Sequence, residues 1–235
     1  MNWNQYGYVV RVSENALLQL CQTGLEAYSI HHLRGEQRPQ RSLETYGLVW
    51  GHESVMTGGR TLYAVDMALV DTSALRTPSK VLPVPDALEL KRRIMAAYWP
   101  HLELLGDFHT HPWATVEMAL QKRRDGTKRY WFSKQDLRDL ETRPEFLRRH
   151  RFRVALVLTI AQMQKRSTRA HRMVEHGAVE FTLGTYRLWL KAYVVTQNGE
   201  GGEGPEVEVS DHTDRHVALD CPSLVGLGEY EPFRS

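Results

Sequence analysis

Apolar and polar positions alternate from Tyr6 to Val12, the period of a strand with one buried face. Ser13 follows in an N-cap position, and Ala16, Leu17, Leu20, Cys21 and Gly24 recur at helical spacing, which predicts a helix over much of 14–33. Gly35 to Ser42 is polar, contains a proline and reads as a loop. Thr45 to Gly51 is a short apolar run bounded by glycines, and Thr61 to Val70 alternates like its hairpin partner across the turn Thr57-Gly58-Gly59. Residues 71–82 carry no period and read as loop. Asp86 is placed to cap a helix with the apolar face Leu90, Ile94, Ala97 and Tyr98, which Pro100 stops. A strand over Leu102 to Phe108 leads into His109-Thr110-His111-Pro112, and a helix opens at Ser133 to Leu140. Arg153 to Ile160 is β-branched and apolar, as a central strand is. Val179 to Leu183 reads as strand, and Tyr186 to Val195 fits either period. Grouped strands with helices before and after them predict an α+β (mixed α/β) layered sheet.

From Asn198 the character changes. Gly199, Gly201, Gly202 and Gly204 alternate with glutamates, so residues 198–235 read as a flexible linker and tail beyond a domain over 1–197. The cluster Asp211-His212-Thr213-Asp214-Arg215-His216 falls in that tail and reads as solvated.

Composition narrows the class. The chain is 42% hydrophobic and 25% charged with a net charge of +2, which permits a sizeable core and sets up no field demanding nucleic acid or membrane. Cys21 and Cys221 form no Cys-x-x-Cys motif, so a disulfide framework or thiolate metal site is not expected, and Cys21 reads as a small buried hydrophobe. Met1 to Val12 lacks the basic-then-apolar order of a signal peptide, and no window approaches the length of a membrane helix. The expectation is a soluble, cytoplasmic protein.

Candidate chemistry begins with His109 and His111. Residues two apart on a strand point to the same side, with Cα atoms about 6.5–7 Å apart, so two imidazoles there can converge on one metal. Pro112 is expected to end the strand and leave both rings at a sheet mouth. Ser133-Lys134-Gln135-Asp136 has the signature of a helix capping box, and a carboxylate held in a first helical turn is also a rigid third ligand. Glu44, just before the strand at 45–50, would alone be a loop charge. Two histidines and one carboxylate leave zinc an open fourth position for water, an unligated glutamate can take that water's proton, and a serine hydroxyl can donate to an oxyanion.

In this order the three blocks resemble the JAMM/MPN+ (JAB-domain) signature: Glu44 ahead of Gly47-x-x-x-Gly51, then His109-Thr110-His111-Pro112, then Ser133-x-x-Asp136. The resemblance spans about residues 5–195. It implies a JAB/MPN-like central mixed β-sheet flanked by helices, Zn2+ held by His109, His111 and Asp136, Glu44 as general acid/base and Ser133 at the oxyanion. It implies a peptidase or isopeptidase acting on a protein substrate, in this family often after the glycine tail of ubiquitin or a ubiquitin-like protein. Tyr46 and Trp113 are candidates for the substrate groove. One departure stands out: Trp113 to Phe132 is inserted between the ligand blocks, where typical members have only a few residues. It carries Lys122, Arg123, Arg124, Lys128 and Arg129, and forms either a basic, aromatic lid beside the cleft or a solvated excursion. Two other readings stay open: a zinc-binding interaction module without proteolysis, and a JAB-like protein acting on or near DNA through the basic insertion.

Overall fold

The computed structural model describes residues 6–32, 40–123, 126–142, 152–166, 171–175, 177–198, 206–209 and 216–224. In chain order they form β1 (Tyr6–Val12), α1 (Glu14–Ser29), β2 (Tyr46–Met56), β3 (Arg60–Val70), β4 (Leu75–Thr77), β5 (Lys80–Leu82), α2 (Pro85–Tyr98), β6 (Glu103–Trp113), α3 (Val116–Leu120) and α4 (Lys134–Thr142). Then follow β7 (Phe152–Gln162), β8 (Arg172–Glu175), β9 (Ala178–Leu183), β10 (Tyr186–Asn198), β11 (Glu206–Val209) and β12 (His216–Asp220). This is a mixed α+β architecture. One large sheet runs β12-β1-β3-β2-β6-β7-β10-β9-β8, with β11 beside the end of β10, and β4 and β5 form a separate hairpin.

The sheet curls until its ends meet across the core. Val217 and Leu219 of β12 share one apolar cluster with Val179 and Phe181 of β9 and with Leu188, Leu190 and Ala192 of β10. The helix α1 lies inside this curl. Ser13 Oγ accepts the Ala16 N–H at its start, and its buried face is Ala16, Leu17, Leu20, Cys21, Gly24, Ala27 and Tyr28. At Gly24 a Cβ would come 2.8 Å from Ile160 Cδ1, so glycine there lets α1 settle onto β7. The buried run Val154 to Ala161 on β7 is apolar at nearly every position because both faces are covered. Leu156, Leu158 and Ile160 face α1, whereas Ala155 and Val157 face Phe132 and Tyr193 on the other side.

One irregularity sets which side of β6 faces which layer. Trp50 pairs with Leu104 but Val49 pairs with Gly106, so Leu105 is an extra residue. Leu104 packs with Trp50 and Met95 outside the curl, while Leu105 and Phe108 pack inside it. The bulge therefore inverts the alternation, and Asp107, His109 and His111 project to the outer face. Gly106 makes this possible, since a Cβ on it would lie 1.9 Å from the Val154 carbonyl oxygen.

Several expectations are corrected. β6 does not end at Pro112 but pairs with β7 through Trp113. Proline is tolerated because its missing N–H faces the side of β6 that β2 has left beyond Thr110, the last position hydrogen-bonded there. The supposed loop 71–82 contains the β4–β5 hairpin. Leu90, Ile94 and Tyr98 of α2 are 57%, 42% and 74% exposed, and the residue buried is Met95, which packs with Trp50 and Leu104. Val84, not Asp86, is the N-cap of α2, and its N–H donates to Asp71 Oδ2. The tail reading fails at its end: β12 runs parallel to β1, and Val217, Ala218, Leu219 and Cys221 are buried. That run is too short to show a period and needs β1 beside it to become a strand. Residues 211–215 of the Asp211–His216 cluster lie outside the described residues, as does the basic run Arg148-Arg149-His150-Arg151, which reads from sequence as a solvated entrance to the strand after it.

Gly106→Ala is expected to cost about 3 kcal/mol, the upper part of the range for overpacking a tight site. Thermal denaturation checks it, and a loss below about 0.5 kcal/mol would show that the bulge accommodates a side chain.

Candidate metal centre

The bulge presents His109 and His111 side by side, and the start of α4 supplies the third group. His109 Nε2 lies 3.0 Å from His111 Nε2, 3.4 Å from Asp136 Oδ1, and His111 Nε2 lies 3.3 Å from Asp136 Oδ2. A tetrahedral zinc with ligands at about 2.0–2.1 Å has ligand–ligand edges of about 3.3 Å. Each imidazole faces a different oxygen of Asp136, and with one ligand atom taken from each residue the three atoms lie within 4.8 Å of one another, a grouping that could hold a metal ion. They are mostly buried, with side chains 14%, 8% and 18% exposed.

Asp136 owes its place to the capping box expected from the sequence. Its N–H donates to Ser133 Oγ at 3.1 Å, and its Oδ2 accepts the Ser133 N–H in return. Ser133 Oγ accepts there, which leaves its own proton to donate towards the cleft. His109 is braced by aromatic stacking: Phe132 lies parallel to it at 5.8 Å and to Tyr193 at 3.9 Å, and Tyr193 Oη accepts the Phe132 N–H. His111 Nδ1 is buried without a hydrogen-bond partner among the described residues. A ligating histidine usually donates through its second nitrogen.

Glu44 is fixed by its backbone neighbours. The Thr45 N–H donates to Thr110 Oγ1, the Thr110 N–H donates to the Thr45 carbonyl, and the Glu44 N–H donates to the Thr77 carbonyl on β4. The middle residue of the His-Thr-His motif thus ties the candidate base to the candidate ligands. Burial pushes the Glu44 carboxyl up to about 7, with His109 opposing and Asp136 reinforcing the shift. Asp136 feels burial too, but the two imidazoles outweigh it and hold its carboxyl far below the ordinary range. Burial lowers His109, yet Asp136 and Glu44 leave it raised overall, whereas at His111 burial prevails and the net shift is downward.

A cleft of about 320 Å³ opens over the triad. Glu44, Tyr46, Trp113, Ser133 and Asp136 all line it, so every sequence-derived site residue is brought to one place. Tyr46 is buried in the wall, its hydroxyl donating to Asp107 Oδ2 at 2.9 Å. Trp113 is half-buried, with Arg129 over its ring. Sequence reasoning missed Asp107, Phe132 and the β4–β5 residues Pro78 to Val81, which also line the cleft. Asp107 was legible in principle, two residues before His109 on the same face. Phe132 was not, because its ring matters only through partners distant in sequence. Among the described residues, this triad is the cluster able to hold a metal, and His32 instead contacts the Glu26 carbonyl.

The sign of the Glu44 shift gives a test on metal-free protein. A raised folded pKa favours the neutral acid, so its contribution is complete below the ordinary value of 4.5 and lost as pH rises through about 7. Glu44→Gln should therefore stabilise the chelator-treated protein at pH 8 by about 1–2 kcal/mol, allowing for solvent screening, and not at pH 4. Equal melting shifts at both pH values would contradict a strained carboxylate.

No family model matches the chain, and no curated protein matches it. Among solved structures it is similar to the solution structure of protein DSY2949 from Desulfitobacterium hafniense, at 13% identity over 90% of this chain and 92% of that one, with a TM-score of 0.42.

Proposed function

We propose that the protein is a zinc-dependent peptidase or isopeptidase of the JAMM type. The observation that carries this reading is the convergence of His109, His111 and Asp136, one ligand atom from each lying within 4.8 Å of the others, with Glu44 in the same cleft. Two imidazoles and one carboxylate suit zinc and leave a coordination position open. Bound there, the ion supplies an acidified water and polarises a carbonyl oxygen. Glu44, with a carboxyl near 7, is matched to take a proton at neutral pH and to return it to the leaving amine. Ser133 is oriented by its cap and holds a hydroxyl proton for the developing oxyanion.

An extended chain is the substrate we infer for this cleft. The cleft lining includes the hairpin residues Pro78 to Val81 together with Trp113, Phe132 and Ser133. An extended peptide in such a slot gains main-chain bonds from a strand edge and admits only small side chains near the metal. A glycine-rich tail of a ubiquitin-like protein meets that requirement, and the choice of tail rests on the family resemblance. The DNA reading loses support, because Arg123 and Lys128 of the basic insertion are engaged within the protein. No helix among the described residues is long and apolar enough to cross a membrane.

Elemental analysis of protein purified without added metal should find about one zinc per chain, and none in His109→Ala/His111→Ala. Absence of zinc in the wild type after metal incubation would end the enzyme reading. Glu44→Gln should keep its zinc while losing at least about 100-fold in kcat on a ubiquitin-like tail fusion, the scale of general-base catalysis. Full activity in that variant would remove Glu44 from the mechanism, and a retained biological effect without activity would favour the interaction-module reading.

A further inference from the structure

The ligands His111 and Asp136 are separated by the inserted segment 113–132, so something must return the chain to within 3.3 Å of His111. A free loop of this length would leave Asp136 wandering and add a closure cost to every binding event. The segment is instead locked at two levels. Within it, the Arg123 guanidinium donates to the carbonyls of Lys128, Arg129, Trp131 and Phe132, at 2.7–3.2 Å, turning the return leg into a rigid pad. Across to the sheet, one carboxylate gathers the same leg. Glu175 Oε1 on β8 accepts from Lys128 Nζ at 2.8 Å, Tyr130 Oη at 2.5 Å and Trp131 Nε1 at 2.9 Å. Its second oxygen accepts from Lys191 Nζ at 3.3 Å. Lys191 is 1% exposed on β10 and lies over the rings of Trp131 and Tyr193 at 5.0 and 5.2 Å.

We propose that Glu175 is a positioning residue for the metal centre: it docks the return leg of the insertion on the sheet and so sets where Ser133 and Asp136 stand. This rests on the metal reading of the triad. The chain of contacts is continuous. Trp131 is followed by Phe132, whose ring lies between Tyr193 and His109, and Phe132 is followed by Ser133, the cap that orients Asp136. A buried lysine gives the dock its specificity. Lys191 Nζ bonds one oxygen of Glu175 while the other oxygen faces the insertion, so one carboxylate joins the buried cation to the returning chain. Such an arrangement fixes one register of the returning chain, because each of the three donors has one acceptor to find.

The test uses full-length protein and two separate readouts. Glu175→Gln removes a counter-charge from buried Lys191 and so endangers the fold, which makes Lys128→Met/Tyr130→Phe the deciding variant. It leaves Glu175 and Lys191 together and removes two of the three donors by which the insertion holds Glu175, Trp131 Nε1 keeping the third. Arg172→Gln, on the same strand but paired to Glu180, serves as control. Amide hydrogen exchange at Phe132, Ser133 and Asp136 is followed in chelator-treated protein, and the zinc Kd is measured by competition with a chromophoric chelator. The double variant should exchange at these amides at least about tenfold faster and bind zinc about tenfold more weakly, the low end of the effect of outer residues on metal sites, with a melting temperature near that of wild type. The control should change neither. A folded double variant with wild-type exchange and wild-type Kd overturns the proposal. If wild-type protein takes up no zinc, the metal reading fails by itself, and the exchange measurement still decides whether Glu175 holds the leg.

Discussion

Every feature of the candidate site depends on the parity of one strand. Side chains on β6 alternate between the α1 core and the outer layer, and one extra residue at Leu105 shifts that alternation by a single step. Without the shift, His109 and His111 would point into the apolar core and Phe108 would point into the cleft. The bulge is held by close approach to β7, where the backbone at Gly106 leaves no room for a Cβ against Val154. A local backbone irregularity therefore decides which layer receives the chemistry, a common role for bulges beside functional sites.

Around that strand the protein surrounds a small polar site with rigid, mostly apolar supports. Phe132 and Tyr193 brace His109, Thr110 and Thr45 exchange hydrogen bonds, and buried Asp71 receives the N–H groups of Ser73 and Val84 at the two ends of the hairpin segment. Each support is tied to the sheet and none to solvent, so the groups that would do chemistry inherit the sheet's rigidity. The cost appears as perturbed ionisation. Burial makes Glu44 a reluctant anion, and at Asp136 the two imidazoles outweigh burial and favour the anion. Both perturbations fit a site that awaits a cation.

The insertion turns out to be architecture as much as surface. Its cationic residues suggested either a basic lid beside the cleft or a solvated excursion, yet Arg123 is spent on four carbonyls of its own segment and Lys128 on Glu175. Arg129 lies over Trp113 at the mouth of the cleft. Basic residues near a site need not meet a substrate, and a guanidinium with five donors is well suited to gathering carbonyls that have no strand partner.

Local chemistry was readable wherever a pattern was carried by near neighbours. The cap at Ser13, the turn at Gly58 and Gly59, the long apolar strand β7, the His-x-His pair and the Ser133–Asp136 box each rest on residues within a few positions of one another, so sequence alone determined them. Tertiary structure decided the rest, because it depends on what arrives from elsewhere in the chain. Val217 to Leu219 becomes a strand only because β1 is there to pair with it, and Leu90, Ile94 and Tyr98 stay exposed because the sheet meets α2 at Met95. Periodicity shows that a face is apolar but not whether anything covers it. Likewise the composition of 113–132 showed charge, while the partners of that charge, Glu175 and the backbone carbonyls, could be assigned only once the segment was folded against β8 and β10.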